Sequence, residues 1–316
     1  MTSMEQSASE RLDDDEDEND SMDIASLGAF AYGLNDRHYI RFKRRGPALL
    51  VSFEVERGQT PLADRASRFD DLASEMDWST LILVSKGDTW FRAPEVITFF
   101  DALVDGTLLD QFADALFYGQ GSGGHGALAY ALTTPGARVL ALAPHVGFAM
   151  PGAPDDTRFA LPKDVNFAAR YGVTPANLAG TRAIWLLHDP NNAADRAHVT
   201  ALSAAPVQPL RCRNMGSDIE AGLAELRLLE EMIVRAMEGD LRPSEFYRAL
   251  RVRRDEPAAL RRLIGRLIDA KRPVLEALAV RNIAQRTGRH RFAKRFEQIE
   301  ADLRAKGITI PVSRAR

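Results

Sequence analysis

A chain of 316 residues, 45% hydrophobic and 27% charged, has the composition of a globular protein with room for one large domain and a smaller one. Its longest apolar runs, "ALLVSF" and "TLILV", are strand-sized and exclude a helical membrane span, and no basic-then-apolar secretion signal opens the sequence. The single cysteine, Cys212, excludes an intrachain disulfide; with a net charge of −3 and no cofactor or metal motif, a cytoplasmic protein without cofactor or metal is expected.

Residues 10–20, "ERLDDDEDEND", repel one another and carry no apolar periodicity, so 1–23 is expected to be a disordered acidic tail. "RHYIRFKRR" and "ALLVSFEVE", separated by Gly46-Pro47, predict two strands in a hairpin-like pair. "PLADRASRFDDLASEMDW" has helical spacing, and "STLILVS" is apolar enough for a strand buried on both faces. "APEVITFFDALVDGTLLDQF" predicts a helix broken near Gly106. "DALFYGQG", "GGHGALAYALTT" and "ARVLALAPH" predict strand, helix, strand. Residues 146–164 carry Pro151, Pro154 and Pro162 and predict a long irregular loop, a candidate lid. "DVNFAARYG" predicts a helix, "RAIWLLHDP" a strand, "NAADRAHVTALSA" a helix and "VQPLRC" a last strand.

Strand–helix alternation from about 48 to 212 predicts a mostly parallel sheet with helices on both faces and sites at the carboxyl ends of the strands. From Asp218 onward the spacing becomes helical throughout. The expected division is an α/β domain over 24–215, an all-helical domain over 216–306 and a C-terminal tail over 307–316. Short loops between the last helices suggest hairpins loosely like tetratricopeptide repeats, but the signature residues are mostly absent and a plain bundle is the simpler reading. Arginine-rich helices without interleaved aromatics predict a solvated face, not a nucleic-acid surface, and leave this region as the expected contact for an unknown protein partner.

The chemistry-bearing stretch is "FYGQGSGGHGAL", residues 117–128. A strand entering clustered glycines and leaving as a small-residue helix has the form of a nucleophile elbow, where a strained turn leaves no room for neighbouring β-carbons. Packing of the helix on the sheet alone would also account for such glycines. The stretch resembles the "YGSSMGGYGAL" elbow of a branch of α/β-hydrolase-like proteins. On that pattern Gly119, Gly123, Gly124 and Gly126 match glycines, and the nucleophile's place falls on Gly121, which has no side chain. Ser122 falls one place later, where its amide would help form an oxyanion hole with Gly121 and Gly123 nearby; Gly87 or Asp88 would supply the second amide. The resemblance puts the acid at Asp189. No histidine lies between His198 and His290, so an active serine would need His125 or His188, or else His145, as a relocated base.

Beyond the elbow, "GPALLVSFE", "GDTWFRAPEVITFFDALVDG", the "LLHDP" turn and the arginine-rich tail make most of 40–300 similar to a group of uncharacterised alphaproteobacterial proteins. The resemblance implies an α/β-hydrolase-like three-layer domain whose elbow often lacks its serine; some members carry the label phosphoadenosine phosphosulfate reductase. The "SGGHG" loop is similar to the "SGGxDS" loop of those reductases, but Gly126 stands where aspartate belongs and Ala127 where serine belongs, and Cys212 is alone in an apolar strand. The leading expectation is a catalytically degenerate hydrolase-like protein with a binding or assembly role. The alternative is a serine acyl hydrolase or acyltransferase using Ser122, and a reductase ranks third.

Overall fold

A computed structural model describes residues 26–64, 66–146, 156, 158, 165–168 and 170–311. The acidic tail and all of the expected lid except Val146, Asp156 and Arg158 lie outside the described residues. The strands are β1 (Ala29–Asn35), β2 (His38–Lys43), β3 (Ala48–Glu56), β4 (Ser79–Lys86), β5 (Asp114–Gln120), β6 (Arg138–Leu142), β7 (Ala183–His188) and β8 (Val207–Arg211). Helices α1 (Asp70–Glu75), α2 (Pro94–Asp105), α3 (Ser122–Tyr130), α4 (Pro175–Leu178) and α5 (Ala193–Ala201) are interleaved with them. Six more follow: α6 (Ile219–Glu225), α7 (Leu229–Glu238), α8 (Pro243–Ala249), α9 (Pro257–Asp269), α10 (Pro273–Thr287) and α11 (His290–Ala305).

The strands form one eight-stranded sheet in the order β1-β2-β4-β3-β5-β6-β7-β8. β1 and β2 run antiparallel at one edge, and all pairs from β4 to β8 are parallel. This is an α/β-hydrolase-like three-layer fold. Period-two alternation sorts the side chains. Leu49, Val51 and Phe53 of β3 face a core shared with Phe100 of α2, Tyr130 of α3 and Val199 of α5. Leu50, Leu116 and Leu140 face a second core with Leu223 of α6, Met232 of α7 and Phe246 of α8. Helices α6–α8 therefore complete the sandwich, whereas α9–α11 are held by a separate cluster that includes Leu260, Val280, Ile283 and Leu303.

Three local expectations need correction. β2 and β3 do not pair: β4 lies between them, antiparallel to β2 and parallel to β3. The hairpin is instead β1–β2, closed where Asn35 Oδ1 accepts the Arg37 amide, and Gly46-Pro47 starts a crossover. The helix expected over 61–78 shrinks to α1, because side chains upstream take the backbone's bonds: the Ser67 amide donates to Asp70 and the Phe69 amide to Ser67 Oγ. Around "DVNFAARYG" the described residues form turns. Buried Arg92 donates to the carbonyls of Asn166, Arg170 and Tyr171, and Asn166 Oδ1 caps the Ala168 amide.

Candidate functional site

The site begins where β5 ends. Gly121 adopts φ 60° and ψ −120°, a conformation L-residues rarely take, and α3 starts at the next residue. The Gly121 amide donates to Leu142, and its carbonyl accepts from the amides of His125 and His145. The glycines around it are needed for close approach. A β-carbon on Gly119 would overlap the Gly123 carbonyl, one on Gly123 would overlap the Phe53 carbonyl, and one on Gly126 would sit 2.6 Å from the Phe53 ring. The turn thus has the packing of a nucleophile elbow, with hydrogen where the nucleophile's side chain would begin. A β-carbon on Gly121 would lie 3.2 Å from Cε1 and 3.5 Å from Nε2 of His145, so an imidazole stands over the empty place.

Ser122 is fully buried, and its Oγ donates to Asp88 Oδ1 at 2.5 Å. Asp88 also takes both arms of Arg57, at 2.8 and 3.0 Å. Burial pushes the Asp88 carboxyl up, but the bonds from Arg57 and Ser122, with the nearby charge of Arg57, outweigh it and hold the group below the usual carboxylate range. Ser122 is therefore tied to an ionised, arginine-clamped carboxylate and not to an imidazole. Of the other amides considered, that of Gly87 already donates to the Glu56 carbonyl at 2.8 Å.

The candidate bases are scattered. His125, inside α3, is buried; its Nδ1 lies 3.0 Å from the His145 carbonyl and its Nε2 has no hydrogen-bond partner among the described residues. Burial above all brings His125 and His145 down to about 3, so both are neutral at pH 7. His188 ends β7, is buried, and is likewise lowered by burial. Asp189 accepts from the amides of Asn191 and Gly216 and, at 3.3 Å, from Arg266. No hydrogen bond links the Ser122–Asp88 pair to Asp189 or His188 among the described residues.

A cleft of about 560 Å³ opens over this elbow, between the carboxyl ends of β3 and β5. The strand order reverses there, because β3 leads to β4 on one side and β5 to β6 on the other; open sheets place ligands at that point. Arg57, Arg68, Arg158, Asp88, Gly121 and His145 line it, with Tyr118 in the wall. The Tyr118 hydroxyl is buried, has no hydrogen-bond partner among the described residues, and is pushed well up by burial. Behind His145 lies an ionic cluster. Arg158 binds Asp156 with two arms and Asp195 at 2.7 Å, and His198 Nε2 meets Asp156 at 2.9 Å. The His145 and His198 rings are 5.8 Å apart. Among the described residues no three His, Cys, Asp or Glu side chains are grouped to hold a metal.

Sequence reasoning missed Arg57, Arg158, Tyr118 and His198. Tyr118 lies within the quoted glycine stretch, but the other three meet the site only through the fold: Arg57 lies 31 residues from Asp88, and no short motif joins them.

No protein-family model and no curated protein sequence matches the chain. Several solved structures are similar to it. The capsule O-acetyltransferase of Neisseria meningitidis serogroup A is 15% identical with a TM-score of 0.45, over 66% of this chain and 95% of that one. A thermostable carboxylesterase cloned from a metagenomic library is 13% identical with a TM-score of 0.41, over 66% of this chain and 88% of that one. The glycosylation-associated protein complex of Streptococcus agalactiae is 13% identical with a TM-score of 0.42, over 68% of this chain and 47% of that one.

Proposed function

We propose that this chain is a catalytically degenerate α/β-hydrolase-like protein whose cleft binds a polar ligand without cleaving it. One observation carries the reading: the residue with the elbow's strained backbone is Gly121, which has no side chain, and the His145 ring packs 3.2 Å from where its β-carbon would be. Two others support it. Ser122 is fully buried and donates to a carboxylate whose lowered pKa makes it a poor proton acceptor. The buried Tyr118 hydroxyl lacks a partner in the cleft wall, and a polar ligand or water would satisfy it. An assembly role for the C-terminal helices belongs to the same proposal. Leu275 of α10 is 51% exposed and Ile268 of α9 is 47% exposed, which suits a protein contact.

The alternative is acyl transfer through Ser122. It draws on the 2.5 Å hydroxyl–carboxylate contact and on the His145 imidazole beside the elbow, 3.2 Å from where a Gly121 β-carbon would stand. Reductase chemistry finds no footing in Cys212, which is fully buried and whose thiol burial pushes well up. A fluorophosphonate probe separates the first two readings. The proposal expects no labelling and p-nitrophenyl acetate turnover at the buffer rate. Labelling at Ser122 that disappears in Ser122→Ala would establish the alternative in its place.

A further inference from the structure

A second cavity stands apart from the elbow cleft. It holds about 220 Å³ between the turn after β8 and helices α9 and α10. Five arginines line it, Arg213, Arg253, Arg254, Arg262 and Arg286, and no aspartate or glutamate does. Two of them have carboxylate partners beyond the cavity: Arg262 with Glu225 at 2.8 Å and Arg286 with Asp255 at 2.9 Å. Arg213, Arg253 and Arg254 form no ion pair among the described residues. Arg253 donates one arm to the Arg213 carbonyl at 3.1 Å. Burial lowers its pKa and the nearby charges of Arg254 and Arg213 lower it further, while Cys212 and Asp189 act in the opposite direction, so the three cations lie close enough to repel one another. Buried Nε and Nη2 atoms of Arg262 have no acceptor among the described residues. The buried side chains of Met215, Leu260 and Ile283 form an apolar part of the lining, which weakens screening of these charges.

Three guanidinium groups around one cavity that form no ion pair among the described residues, beside Arg262 donors without an acceptor there, are stabilised when an anion fills the space between them. Guanidinium forks match the paired oxygens of a tetrahedral oxyanion. The volume lies below the roughly 300 Å³ at which pockets for drug-sized ligands begin, so the occupant is compact. We propose that this arginine-lined cavity is a binding site for a small, multiply charged oxyanion of the phosphate type. The proposal is independent of whether the elbow cleft is catalytic.

Calorimetric titration of the full chain with inorganic pyrophosphate at constant ionic strength tests it. One saturable site is expected. Arg254→Gln, at an exposed position, and Arg253→Gln should each weaken binding at least about tenfold. Arg182→Gln removes an equivalent charge elsewhere and should leave affinity unchanged. If Arg253→Gln does not fold, as judged by circular dichroism, Arg254→Gln and Arg213→Gln carry the test. The proposal is overturned by absence of saturable heat up to millimolar pyrophosphate. An equal loss in Arg182→Gln would also overturn it by revealing diffuse attraction. So would a loss confined to Arg57→Gln, which would put the anion in the elbow cleft.

Discussion

Asp88 lies two residues past β4, Asp189 immediately follows β7, and each meets an arginine, but they are held in different ways. Asp88 is bound by side chains, the Arg57 guanidinium and the Ser122 hydroxyl, and keeps 18% of its own side chain in solvent. Asp189 is 99% buried and bound mainly by backbone, the amides of Asn191 and Gly216, with Arg266 as a further donor at 3.3 Å. A carboxylate held by side chains at a cleft can exchange partners when a ligand arrives. One held by two backbone turns fixes the frame on which α6 begins. In a working hydrolase a histidine would couple the acid after this strand to the elbow. Here Asp189 is bonded to two backbone amides and Arg266, and the elbow serine to a different carboxylate, Asp88.

That contrast can be broken from either side. Asp189→Ala should have the largest effect, about 3 kcal/mol lost in urea unfolding, because two backbone amides and the Arg266 guanidinium lose one buried acceptor. A loss under about 1 kcal/mol would mean that Asp189 is not part of the frame. Gly121→Ala comes next, at about 2 kcal/mol, since a β-carbon at φ 60° is strained and meets His145. Ester turnover should stay at background in this variant. Acid should then expose the buried imidazoles. His125 and His145 titrate at about 3 in the folded protein, against about 6.5 when unfolded. Below pH 6.5 the unfolded chain therefore binds more protons. Stability is full above that pH and is lost as pH falls towards 3, by about 1.4 kcal/mol per unit for each histidine. His125→Gln should flatten the slope measured by unfolding between pH 6 and 4. Arg57→Gln should have the smallest effect, under about 1 kcal/mol, because the arginine is 64% exposed.

The sheet was legible because its central strands announce themselves. Every residue of β4 but Lys86 is buried, and "STLILVS" reads as nearly all apolar. The change to pure helix at Asp218 is equally plain, yet helical spacing says nothing about which core a helix joins; α6–α8 close the sheet and α9–α11 do not. β1 went unread because "AFAYGLN" packs at an edge, and none of its residues is fully buried. At the site, the glycine pattern gave the turn and put Gly121 at its strained position, since both depend on adjacent residues. Asp88 was chosen for its amide, whereas its carboxylate makes the contact. Arg57 and Arg158 reach the cleft from segments distant from the elbow, and no local spacing encodes that meeting.

Cys212 follows the edge strand β8, and its amide is bonded to the His188 carbonyl at 2.7 Å. It is the chain's single cysteine and is shielded completely from solvent. The molecule therefore carries its own clock for opening. A maleimide in excess can react only as fast as the β7–β8 edge comes apart, so the labelling rate measures how often that edge opens under native conditions, without any engineered reporter.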